Sequence, residues 1–288
     1  MNWFNKNLSF KSDLILTLLN GLVIIGGVFV LNGLIARMYG LEILGEFLLV
    51  KRTFSSIVGI LLIGMNIALP YYLSRNLEKS YADNSFLLFF IISVPLTVLL
   101  ILSIFWFKIP GFYSNWFWTY IIYSLSISTQ FITYALYRGY MNMIGANIFQ
   151  LLGTAILPII IFSSVTDIYE GIFWMGLCGF FVMIFAFIIR NNGLNVYAIN
   201  FNQSKKLVKY GFERIPSIIS QFILLAGIPL FLASMVNFES VAYFNSSLSL
   251  VRLALIIVNP ISMILLPRIS NNIASKNKGK LSDSINII

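Results

Sequence analysis

The chain has 288 residues, of which 59% are hydrophobic and only 10% charged, and its mean hydropathy is +0.89. A soluble domain carries about 25% charged residues, so this composition argues against a water-soluble globular enzyme. There is no histidine and only one cysteine, Cys178, read as a packing residue; this excludes His-ligated metal sites, Ser-His-Asp and Cys-His catalysis, zinc fingers and intramolecular disulfides.

A helix that spans the hydrocarbon core needs about 20 mostly apolar residues. In chain order, the sequence offers eight such segments. The first, Leu14 to Ile35, has no charge. The second, Phe47 to Leu73, carries Lys51 and Arg52. Ser85 to Phe107 and Phe112 to Tyr137 are uncharged, as is the fifth, within Met141 to Thr166. Gly171 to Ile189 and Ile215 to Phe238 follow, and the eighth, Ser240 to Leu266, holds Arg252. Runs this long without polar alternation do not fit barrel strands. The fold class predicted is an all-α polytopic membrane protein with about eight transmembrane helices. The first segment is too long for the apolar core of a signal peptide, about 7–15 residues, and is read as an uncleaved anchor.

Lys and Arg in the loops set the orientation. With the N-terminus in the cytoplasm, fourteen of the 19 fall inside, Arg37 and Lys108 fall outside, and Lys51, Arg52 and Arg252 lie within helices. The longest connection, Asn191 to Gly211, is then cytoplasmic and basic. An ordinary positive-inside anchor is the plainer reading of it; a short helix lying on anionic headgroups is the other.

A shift of 197 residues places Ala36 on Ala233, Met38 on Met235, Glu42 on Glu239, Phe47 on Phe244 and Leu69-Pro70 on Leu266-Pro267. Helices one and two overlay helices seven and eight without gaps. Six helices per unit make the two units parallel, related by an axis along the membrane normal. The expected organisation is an N-terminal six-helix lobe over 1–190, a cytoplasmic linker over 191–211, and the first two helices of a second lobe over 212–288. Ser85 shifts to Ser282, near the end of the chain. The register predicts a parent of roughly 400 residues, about four helices longer.

An ion in the hydrocarbon core costs about 2.5 kcal/mol or far more, so Lys51, Arg52 and Arg252 are the charges that ask for a purpose. Under the repeat, Arg252 corresponds to Ser55, one turn from Arg52. Both cations are thereby set on facing helices, with no carboxylate at that depth. Cations around a shared cavity suit an anionic substrate such as a phosphate or diphosphate. For Lys51, the alternatives are snorkelling to the outer surface or pairing with Glu46. Polar residues in the helices, among them Asn20, Asn32, Asn66, Gln130, Gln150, Gln221, Asn245 and Asn259, can contact sugar hydroxyls. Their default role is interhelical hydrogen bonding, about 0.6 kcal/mol each. Gly21, Gly26, Gly27 and Gly33 permit close packing, and Pro229 and Pro260 permit kinks. Trp106, Trp116 and Trp118 read as an aromatic belt, with sugar stacking as the minority option.

Three stretches carry a family resemblance. They are Tyr39-Gly40 through Gly45-Glu46-Phe47; Gly64 through Ala68-Leu69-Pro70-Tyr71-Tyr72-Leu73-Ser74; and Tyr210-Gly211 with Pro216-Ser217, Ala242-Tyr243-Phe244, Pro260 and Leu265-Leu266-Pro267. Together they resemble Wzx-type polysaccharide (O-antigen) flippases of the multidrug/oligosaccharidyl-lipid/polysaccharide exporter superfamily. The resemblance implies two six-helix lobes in the cytoplasmic (inner) membrane. It also implies export of an undecaprenyl-diphosphate-linked oligosaccharide, an O-antigen or capsule repeat unit, by alternating access. The substrate contacts expected are Arg52, Arg252 and Lys51 for the diphosphate, and Asn32, Asn245 and Asn259 for sugars. Related peptidoglycan-precursor flippases use cations on helices one, two and eight; here helix one has only Arg37, at its outer end. The implied partners are the lipid-linked oligosaccharide, membrane lipids, and a polysaccharide polymerase with its chain-length machinery. Neither a cofactor nor nucleic acid is called for. A cation-coupled drug exporter of the same superfamily would want an embedded Asp or Glu, and none is visible in the first lobe, which counts against it. A membrane-bound polymerase or ligase would want a larger outer loop, so no enzyme is expected. A truncated, non-transporting remnant is the remaining alternative.

Overall fold

The computed structural model describes residues 9–76, 78–195, 200–251 and 255–275. The described residues are helical with short turns: α1 Phe10–Tyr39, α2 Leu41–Leu61, α3 Met65–Asn76, α4 Lys79–Trp106, α5 Phe117–Gly139, α6 Met143–Phe162, α7 Ile168–Arg190, α8 Phe201–Phe212, α9 Ile215–Met235, α10 Phe238–Val251 and α11 Leu255–Ala274. The first seven segments read from the sequence fall on these helices; the eighth, Ser240 to Leu266, begins on α10 and ends on α11, with residues 252–254 outside the described residues. Helices α1, α4, α6, α7 and α9 are each long and apolar enough to cross a membrane, and α2 with α3 makes a sixth, bent span. The fourth predicted span, α5, is too polar to meet that measure alone. It is almost wholly buried, with Ser124, Ser128, Thr129 and Thr133 turned into protein, so lipid does not select its composition.

Tight parallel packing joins α5 to α7. Thr133 Oγ1 donates to the Met183 carbonyl at 3.0 Å, and Tyr137 Oη to the Ala186 carbonyl at 3.3 Å. Leu19, Leu22, Val23 and Val30 of α1 and Ile223, Leu224, Phe231 and Met235 of α9 are exposed. Apolar faces this continuous are not left to water by soluble proteins; they face hydrocarbon.

Three helices carry a widened turn just ahead of a proline: Phe89–Ser93 before Pro95, Leu152–Ile156 before Pro158, and Ile223–Gly227 before Pro229. A proline ring collides with the carbonyl four residues earlier and has no N–H to give it. In each case that carbonyl sits in the middle of the widened turn, where the i→i+5 pattern makes room.

The second predicted span is broken. Between α2 and α3 the axis turns by 50° through Ile63 (φ 45°) and Gly64 (φ 66°). The cause is long-range. The backbone of Gly211, at the end of α8, lies directly on the break, where a Cβ on Gly211 would fall 1.9 Å from the Ile63 carbonyl oxygen. Gly211→Val should therefore destabilise the fold by about 3 kcal/mol, the upper end for overpacking. Denaturant unfolding in detergent would measure this, and an unchanged midpoint would contradict the contact.

Helix α2 packs on α10 and α3 on α11, while α1 packs on α11 and α9 on α2. A shift of 197 residues converts the α1–α11 pairing into α9 against the second span. The hydrogen-bonded pairs along the contact of the second and eighth spans are separated by 193, 197 and 199 residues: Arg52 with Asn245, Ser74 with Asn271, and Tyr71 with Ser270. Helices running in parallel beside a two-fold axis meet in this way, each residue against its counterpart or one within a turn of it.

Candidate functional site

The contact of α2 with α10 brings together two of the residues singled out from the sequence. Arg52, half-buried, donates from Nε to Asn245 Oδ1 at 3.1 Å. Asn245 is 1% exposed, and its Nδ2 donates to the Val241 carbonyl at 3.0 Å, which fixes the amide with its oxygen toward the guanidinium. Lys51, on the same turn as Arg52, is also half-buried. Its ammonium lies 5.7 Å from the centroid of the Phe47 ring, a cation–π distance.

The pairing of Lys51 with Glu46 weighed above is not what the structure has. Glu46 accepts from Tyr113 Oη at 2.9 Å and from Tyr169 Oη at 2.8 Å, and Tyr169 stacks on Trp116 at 5.0 Å. Glu46 thus ties α2 to the α4–α5 loop and α7. Burial, the hydrogen bond to Glu46 and that carboxylate's charge raise the Tyr113 phenol from 10 to about 12. A raised phenol favours the folded state while protonated. The stabilisation is present below about pH 10 and is lost as pH rises toward 12. An ultraviolet titration of tyrosinate in wild type against Tyr113→Phe should show one late-titrating phenol disappear. Trp116 and Trp118 line a shallow cleft of about 420 Å³ beside Asp167 and Glu170. Trp118 is 72% exposed and Trp106 83%.

Asn32 of α1 is buried, and neither its amide oxygen nor its nitrogen has a hydrogen-bond partner. An unsatisfied buried polar atom costs about 1–3 kcal/mol, so this amide is primed for a polar group. No hydrogen bond joins it to Arg52 or Asn245. Arg252 and the side chain of Asn259 lie outside the described residues. Gln130 takes the default role: its amide donates to Thr154 Oγ1 at 3.0 Å and links α5 to α6.

Sequence reasoning missed two buried charges. It began the first helix at Leu14, but α1 starts at Phe10 with Ser9 as its cap, Ser9 Oγ accepting from the Ser12 N–H. Asp13 is thereby carried inside, 1% exposed, where it pairs with Arg268 of α11 at 2.5 Å. Asp83 of α4 is likewise buried and accepts from Asn191 Nδ2 at 2.7 Å and the Asn195 N–H at 3.3 Å. The expectation that the first lobe holds no embedded acid is corrected on both counts. The repeat held a signal for the first. The 197-residue shift carries Asp13 onto Tyr210 and Arg268 onto Tyr71, and those two tyrosine rings stack at 4.8 Å. An ion pair and an aromatic stack occupy equivalent places at the same end of the bundle.

Fold and site together define an all-helical polytopic membrane protein whose first and second parts meet along a polar, cation-bearing seam. No protein-family model, curated protein or solved structure matches the chain.

Proposed function

We propose that this protein moves an undecaprenyl-diphosphate-linked oligosaccharide, an O-antigen or capsule repeat unit, across the cytoplasmic membrane by alternating access, with its N-terminus in the cytoplasm. One observation carries the reading. Arg52 meets Asn245 where the second and eighth spans run side by side, and Lys51 adds a second cation on the same turn. A guanidinium with an amide and an ammonium beside it offers donors for phosphate oxygens and mixed donors and acceptors for sugar hydroxyls. The resemblance to Wzx-type flippases and the two-fold character of the helix contacts support the same reading. Arg252, which the sequence repeat sets one turn from the register of Arg52, would complete the diphosphate contacts. The lipid tail would stay in the bilayer while the lobes rock, so no covalent step is required. A polymerase with its chain-length machinery would take the product at the outer face.

The test is direct. Proteoliposomes holding the full chain should move a fluorescent undecaprenyl-diphosphate glycan between leaflets, read as protection from a membrane-impermeant quencher. Movement no faster than in protein-free vesicles overturns the proposal.

A second reading is a cation-coupled exporter, favoured by the buried carboxylates Asp13 and Asp83. Asp13→Asn would then abolish gradient-driven efflux of a cationic dye. On the flippase reading, no such efflux exists to be lost.

A further inference from the structure

One four-residue spacing occurs twice at the end of the bundle where α3 and α8 lie together. Tyr71 and Arg75 are one turn apart on α3; Tyr210 lies in the last turn of α8, and Arg214 follows at the same interval. Each arginine folds back on its own tyrosine. Arg75 Nη1 donates to Tyr71 Oη at 2.7 Å with its Cζ 5.3 Å from the ring centroid. Arg214 Nη2 donates to Tyr210 Oη at 3.0 Å with its Cζ 5.1 Å from that ring. The two rings stack on one another, centroids 4.8 Å apart and planes 15° from parallel. Tyr72 packs edge-on against both and stacks on the buried Tyr81 at 5.3 Å. Two cations are thus presented on one tyrosine platform, Arg75 half-buried and Arg214 exposed.

The nearby acids, Glu78, Asp83 and the exposed Glu213 that precedes Arg214, form no ion pair with them among the described residues. Among the described residues the only ion pair is Asp13 with Arg268. Glu78 accepts from Gln203, and Asp83 is taken up by Asn191 and the Asn195 N–H. A guanidinium has five N–H donors, and each of these has placed one on a phenol oxygen. The remaining donors of each guanidinium are left for an anion to accept from. The planar fork of arginine matches phosphate oxygens in particular. Beside the platform, α8 exposes Lys205, Lys206 and Lys209 together with Phe201 and Phe212, the composition of a helix lying at lipid headgroups.

We propose that Arg75 and Arg214, held on the stacked Tyr71–Tyr210 pair, form a binding site for a phosphate group, brought by a membrane phospholipid headgroup or by a diphosphate. The site is separate from the Arg52–Asn245 contact and does not depend on what crosses the seam.

The experiment measures binding to the full chain in neutral detergent by native mass spectrometry, with two probes: phosphatidylglycerol and inorganic diphosphate. R75Q/R214Q should weaken binding of at least one probe about tenfold, the loss of charge-assisted phosphate contacts. K205Q/K206Q removes the same charge from the same end and should change it by less than about twofold, as screened surface charges do. Loss confined to phosphatidylglycerol identifies the headgroup as the source; loss confined to diphosphate identifies the substrate-type group. Equal losses in both variants, or none in R75Q/R214Q, overturn the proposal. R214Q alone, at an exposed position, gives the same reading if the double variant fails to fold.

Discussion

Arg52→Glu is expected to abolish glycan export while leaving the protein folded. The guanidinium donates to Asn245 Oδ1; a carboxylate there can turn to the amide nitrogen, so packing survives at modest cost. What it cannot do is hold a diphosphate, because attraction becomes repulsion. A hydrogen bond to a charged group contributes about 1.5–3 kcal/mol, so even neutral Arg52→Gln should slow transport about tenfold or more. Arg52→Lys should retain part of the rate, since charge persists without the bidentate fork. Surface glycan display, with melting in detergent as the folding control, measures the series. Normal display by Arg52→Glu would remove the diphosphate contact from the mechanism. Asn245→Ala should reduce transport less, and combined with Arg52→Gln less than additively, since the two act as one unit.

Arg268→Ala should be the most damaging substitution for stability. Asp13 is 1% exposed, and its partner is removed without removing its charge. Stranding a buried ion costs about 3–5 kcal/mol, toward the lower end here because the Arg268 side chain is 22% exposed. The double variant Asp13→Asn/Arg268→Gln should recover most of that loss, as it leaves no uncompensated charge. The equivalent contact in the other half, the Tyr71–Tyr210 stack, contributes about 0.5–1.5 kcal/mol beyond its buried area. Tyr210→Ala should therefore destabilise less than Arg268→Ala. Unfolding midpoints in detergent rank the three variants. If Arg268→Ala melted no lower than Tyr210→Ala, the ion pair would be a surface contact without structural weight.

The positions of the helices were legible because apolar runs of spanning length have few other uses, and the first seven fall on observed helices. Ser74 and Asn271, separated by the 197-residue shift read from the sequence, share a hydrogen bond. Other features were hidden for identifiable reasons. The break at Ile63–Gly64 depends on Gly211, far along the chain, pressing its backbone against the turn. Glu46 looked like a partner for Lys51 by proximity along the helix. Two tyrosines from distant segments reached it first, and Lys51 was left over the Phe47 ring.

By itself, the sequence determined that this is a bundle of membrane-length helices and which cations stand within its apolar segments. Both follow from the free energy of moving side chains between water and hydrocarbon, a property of each residue taken singly. Only the tertiary structure decided which partner each charge meets: Arg52 with Asn245, Asp13 with Arg268, and Arg75 and Arg214 on stacked tyrosines. Those choices depend on distance and direction across helices far apart in the chain, where a shift of one turn exchanges one partner for another.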